Sequence, residues 1–185
     1  MNALNQFEIE ILDFIQSVFK CPFFDFLMPI LTRFADSGIG WIVVALVLLC
    51  FKKTRKTGAA MAVALVLGLV VGNIILKNVF ARIRPYNVNS AVQLLVEKLS
   101  DYSFPSGHTR CSFECATAIF LGNKKAGFAA FVFAALIAFS RLYLYVHYPT
   151  DVLAGILLGI ANGFLAVYIV KKATEYFQNK SKNKD

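Results

Sequence analysis

The sequence predicts an all-α, polytopic membrane helix bundle, and three observations carry that reading. Hydrophobic residues make up 58% of the 185 residues, 18 of them phenylalanine, and the mean hydropathy is +0.63, above that of an ordinary soluble domain. The apolar residues gather into long runs of the kind that cross a bilayer. Basic residues sit between those runs, so the net charge of +8 reads as membrane topology, and nucleic acid is set aside as a partner. By length the chain is one domain, 1–185.

From the start, Leu4, Phe7, Ile11, Phe14, Ile15 and Val18 recur at helical spacing, with Asn5, Glu8, Asp13 and Gln16 on other faces. This predicts an amphipathic helix lying on the membrane interface. The first 20 residues lack a basic leader and carry Glu8, Glu10 and Asp13, so no cleavable signal is expected. Residues 23–35 are apolar but too short to span and contain Asp25, Pro29 and Arg33. They predict a segment that dips into one leaflet or lies along it, or one that joins residues 36–53 in a different crossing, so that a sixth span is possible.

Five spans are expected in the bundle of residues 39–170: Ile39 to Phe51, Gly58 to Phe80, Ser106 to Gly122, Ala126 to Val146 and Thr150 to Val170. A polar loop, Arg82 to Phe104, interrupts them, and 171–185 reads as a basic, frayed or surface-bound tail. Small residues recur every fourth position at Ala60, Ala64, Gly68 and Gly72, and again at Gly155, Gly159 and Gly163. Such stripes let helix backbones approach closely in lipid. Cys111 and Cys115, one helical turn apart, read as small packing residues.

Alternate loops divide by charge. Lys52, Lys53, Arg55, Lys56, Lys124, Lys125 and the lysines of the tail fall in one set, which the positive-inside rule places in the cytoplasm together with the C-terminus. Asp36, the 82–104 loop, His108, His147 and Asp151 fall in the other, extracytoplasmic set.

That second set holds the residues with chemistry. Lys77 and Arg84 are seven apart, so a continuous helix would bring them to one face about 10.5 Å apart along its axis. There both could hold an anion, although singly each also reads as a snorkelling cation. Arg82 is expected to face solvent or headgroups. Pro105-Ser106-Gly107-His108 opens a span, where free N–H groups and the Ser106 hydroxyl could receive a phosphate and His108 could give a proton. The plainer reading of Ser106 is an N-cap. His147 precedes Asp151 by four residues, a spacing that lets the carboxylate accept the ring N–H and ready the histidine to attack phosphorus. A metal site of two histidines and a carboxylate is the rival, and the cations Lys77, Arg84 and Arg141 disfavour it. Arg110 and Glu114 read as an ion pair inside one helix.

Taken together, Lys77-x6-Arg84-Pro85, Pro105-Ser106-Gly107-His108 and Ser140-Arg141-x5-His147-x3-Asp151 resemble the three signature motifs of the type 2 phosphatidic acid phosphatase superfamily. The resemblance implies a membrane lipid phosphatase needing neither metal nor cofactor. It makes His147 the nucleophile, Asp151 its partner and His108 the general acid, with Lys77, Arg84, Ser106, Gly107 and Arg141 binding phosphoryl oxygens. The expected partners are the bilayer and a lipid phosphate, with undecaprenyl diphosphate as first choice. Phosphatidylglycerophosphate or phosphatidic acid, phosphoryl transfer to another acceptor, and a non-catalytic lipid-binding role are the alternatives.

Overall fold

The computed structural model describes residues 3–182; residues 1–2 and the last residues of the predicted tail, 183–185, lie outside them. Among the described residues the chain is helical and without strands. The helices are α1 (Ala3–Phe19), α2 (Pro22–Arg33), α3 (Ile39–Cys50), α4 (Arg55–Gly68), α5 (Lys77–Phe80), α6 (Pro85–Val88), α7 (Gly107–Gly122), α8 (Lys124–Tyr143) and α9 (Pro149–Lys182). A π-helical stretch, Leu69–Leu76, joins α4 to α5. The predicted tail does not begin as a separate segment: α9 runs on through it to Lys182.

The packing follows from side-chain size. At Gly159 an added Cβ would lie 2.6 Å from the Arg110 carbonyl oxygen, and at Gly155 2.9 Å from that of Ser106. The α9 stripe therefore seats α7 directly against the α9 backbone. The other stripe works differently, because Gly68 and Gly72 face the Arg110 side chain and leave it room. Helix α7 sits at the centre, packed on α4, α8 and α9, and its residues Thr109–Ala118 are all buried. Cys111 and Cys115 lie within an apolar cluster with Trp41, Met61 and Ile137. Outward-facing residues such as Val43, Val66, Phe128, Leu157 and Phe164 are exposed, a hydrocarbon-facing surface typical of membrane helices.

By length and apolarity three helices can cross a membrane: Arg55–Val88, Lys124–Tyr143 and Pro149–Lys180. The pair Pro22–Arg33 and Asp36–Cys50, bent by 42°, could together make a fourth, so the short segment 23–35 leads into α3 through a kink at Ser37 and Gly38, both at positive φ. Helix α7, at 16 residues and carrying Arg110 and Glu114, is enclosed by protein. Helix α1 exposes Leu4, Phe7, Phe14 and Val18 while burying Glu8, Ile9, Leu12 and Ile15. Gln6, Glu10, Asp13 and Ser17 are exposed beside that apolar stripe, and the inner face carries a carboxylate into the bundle.

Candidate active site

The ends of several helices meet where α5 stops, α7 starts and α8 passes to α9. The continuous helix expected from Lys77 to Arg84 does not form. Ala81 adopts a left-handed conformation (φ 42, ψ 37), which ends α5 and turns the chain inward. Arg84 then precedes α6, and Pro85 opens that helix as its first residue instead of closing the previous one. Lys77 and Arg84 still converge, through Asp101. The Asp101 carboxylate accepts from Lys77 Nζ, and from Arg84 Nη2 at 2.5 Å. Burial pushes the Asp101 pKa up, but Lys77 and Arg84 outweigh it and draw it down to about 2. A carboxylate thus occupies the seat that two cations would offer a phosphate.

His147 lies beside Arg84, its Nε2 3.2 Å from Arg84 Nη1, in the short connection between α8 and α9. It is 1% exposed. Burial first, then the charges of Arg84, Arg141 and Lys77, hold its pKa well below 6.5, so the ring is neutral at neutral pH. Its Nδ1 is 3.5 Å from Asp151 Oδ2, longer than the direct bond expected from the sequence. Ser103 explains the gap: its Oγ donates to Asp151 Oδ2 at 2.5 Å and lies 3.4 Å from His147 Nδ1. These contacts fit a ring protonated at Nδ1, with the Nε2 lone pair turned toward the cations.

His108 stands on the first turn of α7, with Nε2 2.6 Å from Asp36 Oδ1. Ser106 caps the same helix, its Oγ meeting Thr109 Oγ1 at 2.9 Å, and its N–H donates to the Asp151 carbonyl. Arg141, buried in the last turn of α8, donates to Thr32 Oγ1, and its Nε has no protein partner among the described residues. A cavity of about 1320 Å³ runs from here between α3 and α4. Lys77, Asp101, Gly107, His108 and Arg141 line its polar end, and residues such as Leu46 and Leu65 line the rest. Arg84, Ser106, His147 and Asp151 stand behind that lining. Among the described residues no group of three His, Cys, Asp or Glu side chains comes together as a metal site would require.

Arg82 is where the structure most departs from the sequence-based expectation. Far from facing solvent, it donates to Asp151, Thr150, Asn5 and Glu8. The partners Asp36, Asp101, Ser103 and Glu8 were also not identified as site residues. They lie 17 to 142 residues from the side chains they touch, and no spacing rule reaches so far. The ion pair of Arg110 and Glu114 forms as expected, both Glu114 oxygens 2.9 Å from Arg110 Nη1, with Asn162 and Asn73 adding hydrogen bonds.

Residues 57–175 match the PAP2 superfamily. The chain is 38% identical to an undecaprenyl-diphosphatase of Sulfolobus acidocaldarius over 144 residues, 77% of this chain and 69% of that protein. It is 32% identical to the undecaprenyl-diphosphatase BcrC of Bacillus subtilis over 141 residues, 76% and 72% of the two chains. Among solved structures, Aquifex aeolicus LpxE superimposes with a TM-score of 0.73 at 30% identity, covering 90% of this chain and 96% of that one.

Proposed function

The chain belongs to the PAP2 superfamily and is a membrane lipid phosphatase, and from that premise we propose that it removes the terminal phosphoryl group of undecaprenyl diphosphate through a phosphohistidine on His147. The observation that carries this reading is the two-sided environment of that ring. Nδ1 faces Ser103 and Asp151, and Nε2 faces Arg84. The diphosphate displaces Asp101 from Lys77 and Arg84, Arg141 Nε takes a further oxygen, and the apolar part of the cavity receives the lipid.

Two steps follow. Nε2 attacks the terminal phosphorus, the bond to the bridging oxygen breaks, and His108 protonates the departing lipid monophosphate. Water then attacks the phosphohistidine, His108 takes its proton, and the P–N bond breaks to release orthophosphate. Three cations and the first turn of α7 stabilise the charge spread over the equatorial oxygens. Ser106 serves by shaping that turn, and Gly107 by leaving its backbone open to the phosphate.

The same reading takes the chain as a single catalytic domain of five crossings, with α7 as the one enclosed by protein. The site faces the extracytoplasmic side, opposite Lys52, Lys56 and Lys125, and the C-terminus is cytoplasmic. Orthophosphate release from undecaprenyl diphosphate, phosphatidylglycerophosphate and phosphatidic acid, by purified protein in detergent with chelator present, tests it. The expected result is the highest kcat/KM on the diphosphate. A higher value on phosphatidic acid overturns the substrate, and loss of activity in chelator overturns the chemistry.

A further inference from the structure

We infer that Arg82 and Glu8 form a strut that positions the Asp151 carboxylate behind His147, so that α1 supports the reacting histidine from outside the motifs. The inference rests on the function proposed above. Asp151 is fully buried, and its two oxygens have separate neighbours. Oδ2 accepts from Ser103 Oγ and from the Tyr148 N–H at 2.9 Å and faces the His147 ring. Oδ1 accepts from Arg82 Nη1 at 2.6 Å. The guanidinium therefore fixes which way the carboxylate is turned.

Arg82 is itself held on every side. Its plane lies over the Tyr148 ring, 3.8 Å from the centroid. Nη2 donates to Asn5 Oδ1 at 2.7 Å and to Glu8 Oε2. The other Glu8 oxygen accepts from the Thr150 N–H at 2.8 Å and from its hydroxyl at 2.7 Å. Glu8 is 2% exposed, so α1 delivers a buried carboxylate both to Arg82 and to the first turn of α9, where an anion also meets the helix dipole.

Charge requires the strut as well as geometry. Glu8 and Asp151 are two buried carboxylates joined through one cation. Without Arg82 they face each other unbalanced, and nothing holds Asp151 Oδ1 in place. A carboxylate free to turn loses its fixed place against Ser103 Oγ and the Nδ1 side of the His147 ring, and the ring loses the orientation that presents Nε2. The contacts of Arg82 are with Asn5, Glu8, Tyr148, Thr150 and Asp151, none of them a residue assigned to the phosphate, so its loss acts on turnover and leaves phosphate binding in place. It is a positioning residue.

The test measures kcat, KM and competitive inhibition by orthophosphate, for the full-length protein in detergent with undecaprenyl diphosphate. Arg82→Gln is expected to lower kcat about 10²-fold, with KM and the orthophosphate inhibition constant within about threefold. Arg82→Lys, which keeps the charge but loses the fork, recovers part of the loss. Glu8→Gln lowers kcat in the same direction by less, and carries the test alone if Arg82→Gln does not fold. Unchanged kcat in a folded Arg82→Gln or, failing that, in Glu8→Gln overturns the inference. So does an equal loss of orthophosphate inhibition, or an Arg82→Lys no better than Arg82→Gln, since either marks general collapse. An active wild type with insensitive variants sinks this inference alone. A wild type inert on the lipid diphosphate sinks the proposed function and the strut with it.

Discussion

Arg82 and Arg110 are both drawn into this bundle, and they are balanced in opposite ways. Arg110 finds Glu114 one turn along the same helix, and Asn73 and Asn162 add hydrogen bonds to the pair, while Arg110 Nε has no partner among the described residues. Arg82 finds Glu8 and Asp151, 74 and 69 positions away, and so ties three separate segments together. The first pair could form in an isolated α7. The second exists only once α1, the 81–84 turn and α9 have docked. A local pair lets a charged helix pass through an apolar bundle, whereas a distant one makes the alignment of a site depend on the whole fold.

That contrast can be broken experimentally, beginning with the largest effect. Glu114→Leu leaves Arg110 buried and uncompensated, and should destabilise the protein by about 3–5 kcal/mol. The double variant Arg110→Leu with Glu114→Leu should recover most of that stability and keep kcat/KM within about threefold. Thermal unfolding in detergent and a double-mutant cycle decide it, and a double variant as unstable as the single one would show that the pair is not self-contained. Asp101→Asn empties the seat between Lys77 and Arg84 of its charge, and should tighten orthophosphate inhibition about tenfold, roughly 1.4 kcal/mol.

Asp101 also sets a pH expectation. Its folded pKa of about 2 lies below the ordinary 3.8, so its stabilising contribution is complete above that ordinary value and is lost as pH falls through about 2. The melting-temperature difference between wild type and Asp101→Asn should therefore stay constant from pH 5 to 8, and a difference that fades within that range would contradict the clasp. The smallest change is Ala81→Gly. It relieves the left-handed turn that aims Arg82 inward, and should stabilise by at most about 1 kcal/mol without altering kcat. A fall in kcat would mean that the alanine itself holds the turn.

The same division between local and distant explains what the sequence disclosed. The helices were legible from apolar runs. The tight seat of α7 on α9 was legible from Gly155, Gly159 and Gly163, because small residues at helical spacing have few other uses in lipid. Lys77, Arg84, His108, Arg141, His147 and Asp151 do gather at one end of the bundle, as their alternate loops require. The break at Ala81 was not legible, since an alanine after an apolar run normally prolongs a helix. Nor was the burial of Glu8, because the exposed Phe7 and Phe14 faces supply the apolar stripe by which an amphipathic helix is recognised. Ser103 could not be placed either, since a serine two residues before a proline carries no signal of its own.

The central claim is that His147 Nε2 takes the phosphoryl group. It is tested most directly by rapid acid-free quenching of the protein with undecaprenyl diphosphate carrying ³²P in its terminal phosphate, followed by peptide mapping. The account predicts a base-stable, acid-labile label on the peptide containing His147, absent from His147→Asn, which should also lose turnover. Label on another residue, or sustained turnover by His147→Asn, would contradict it.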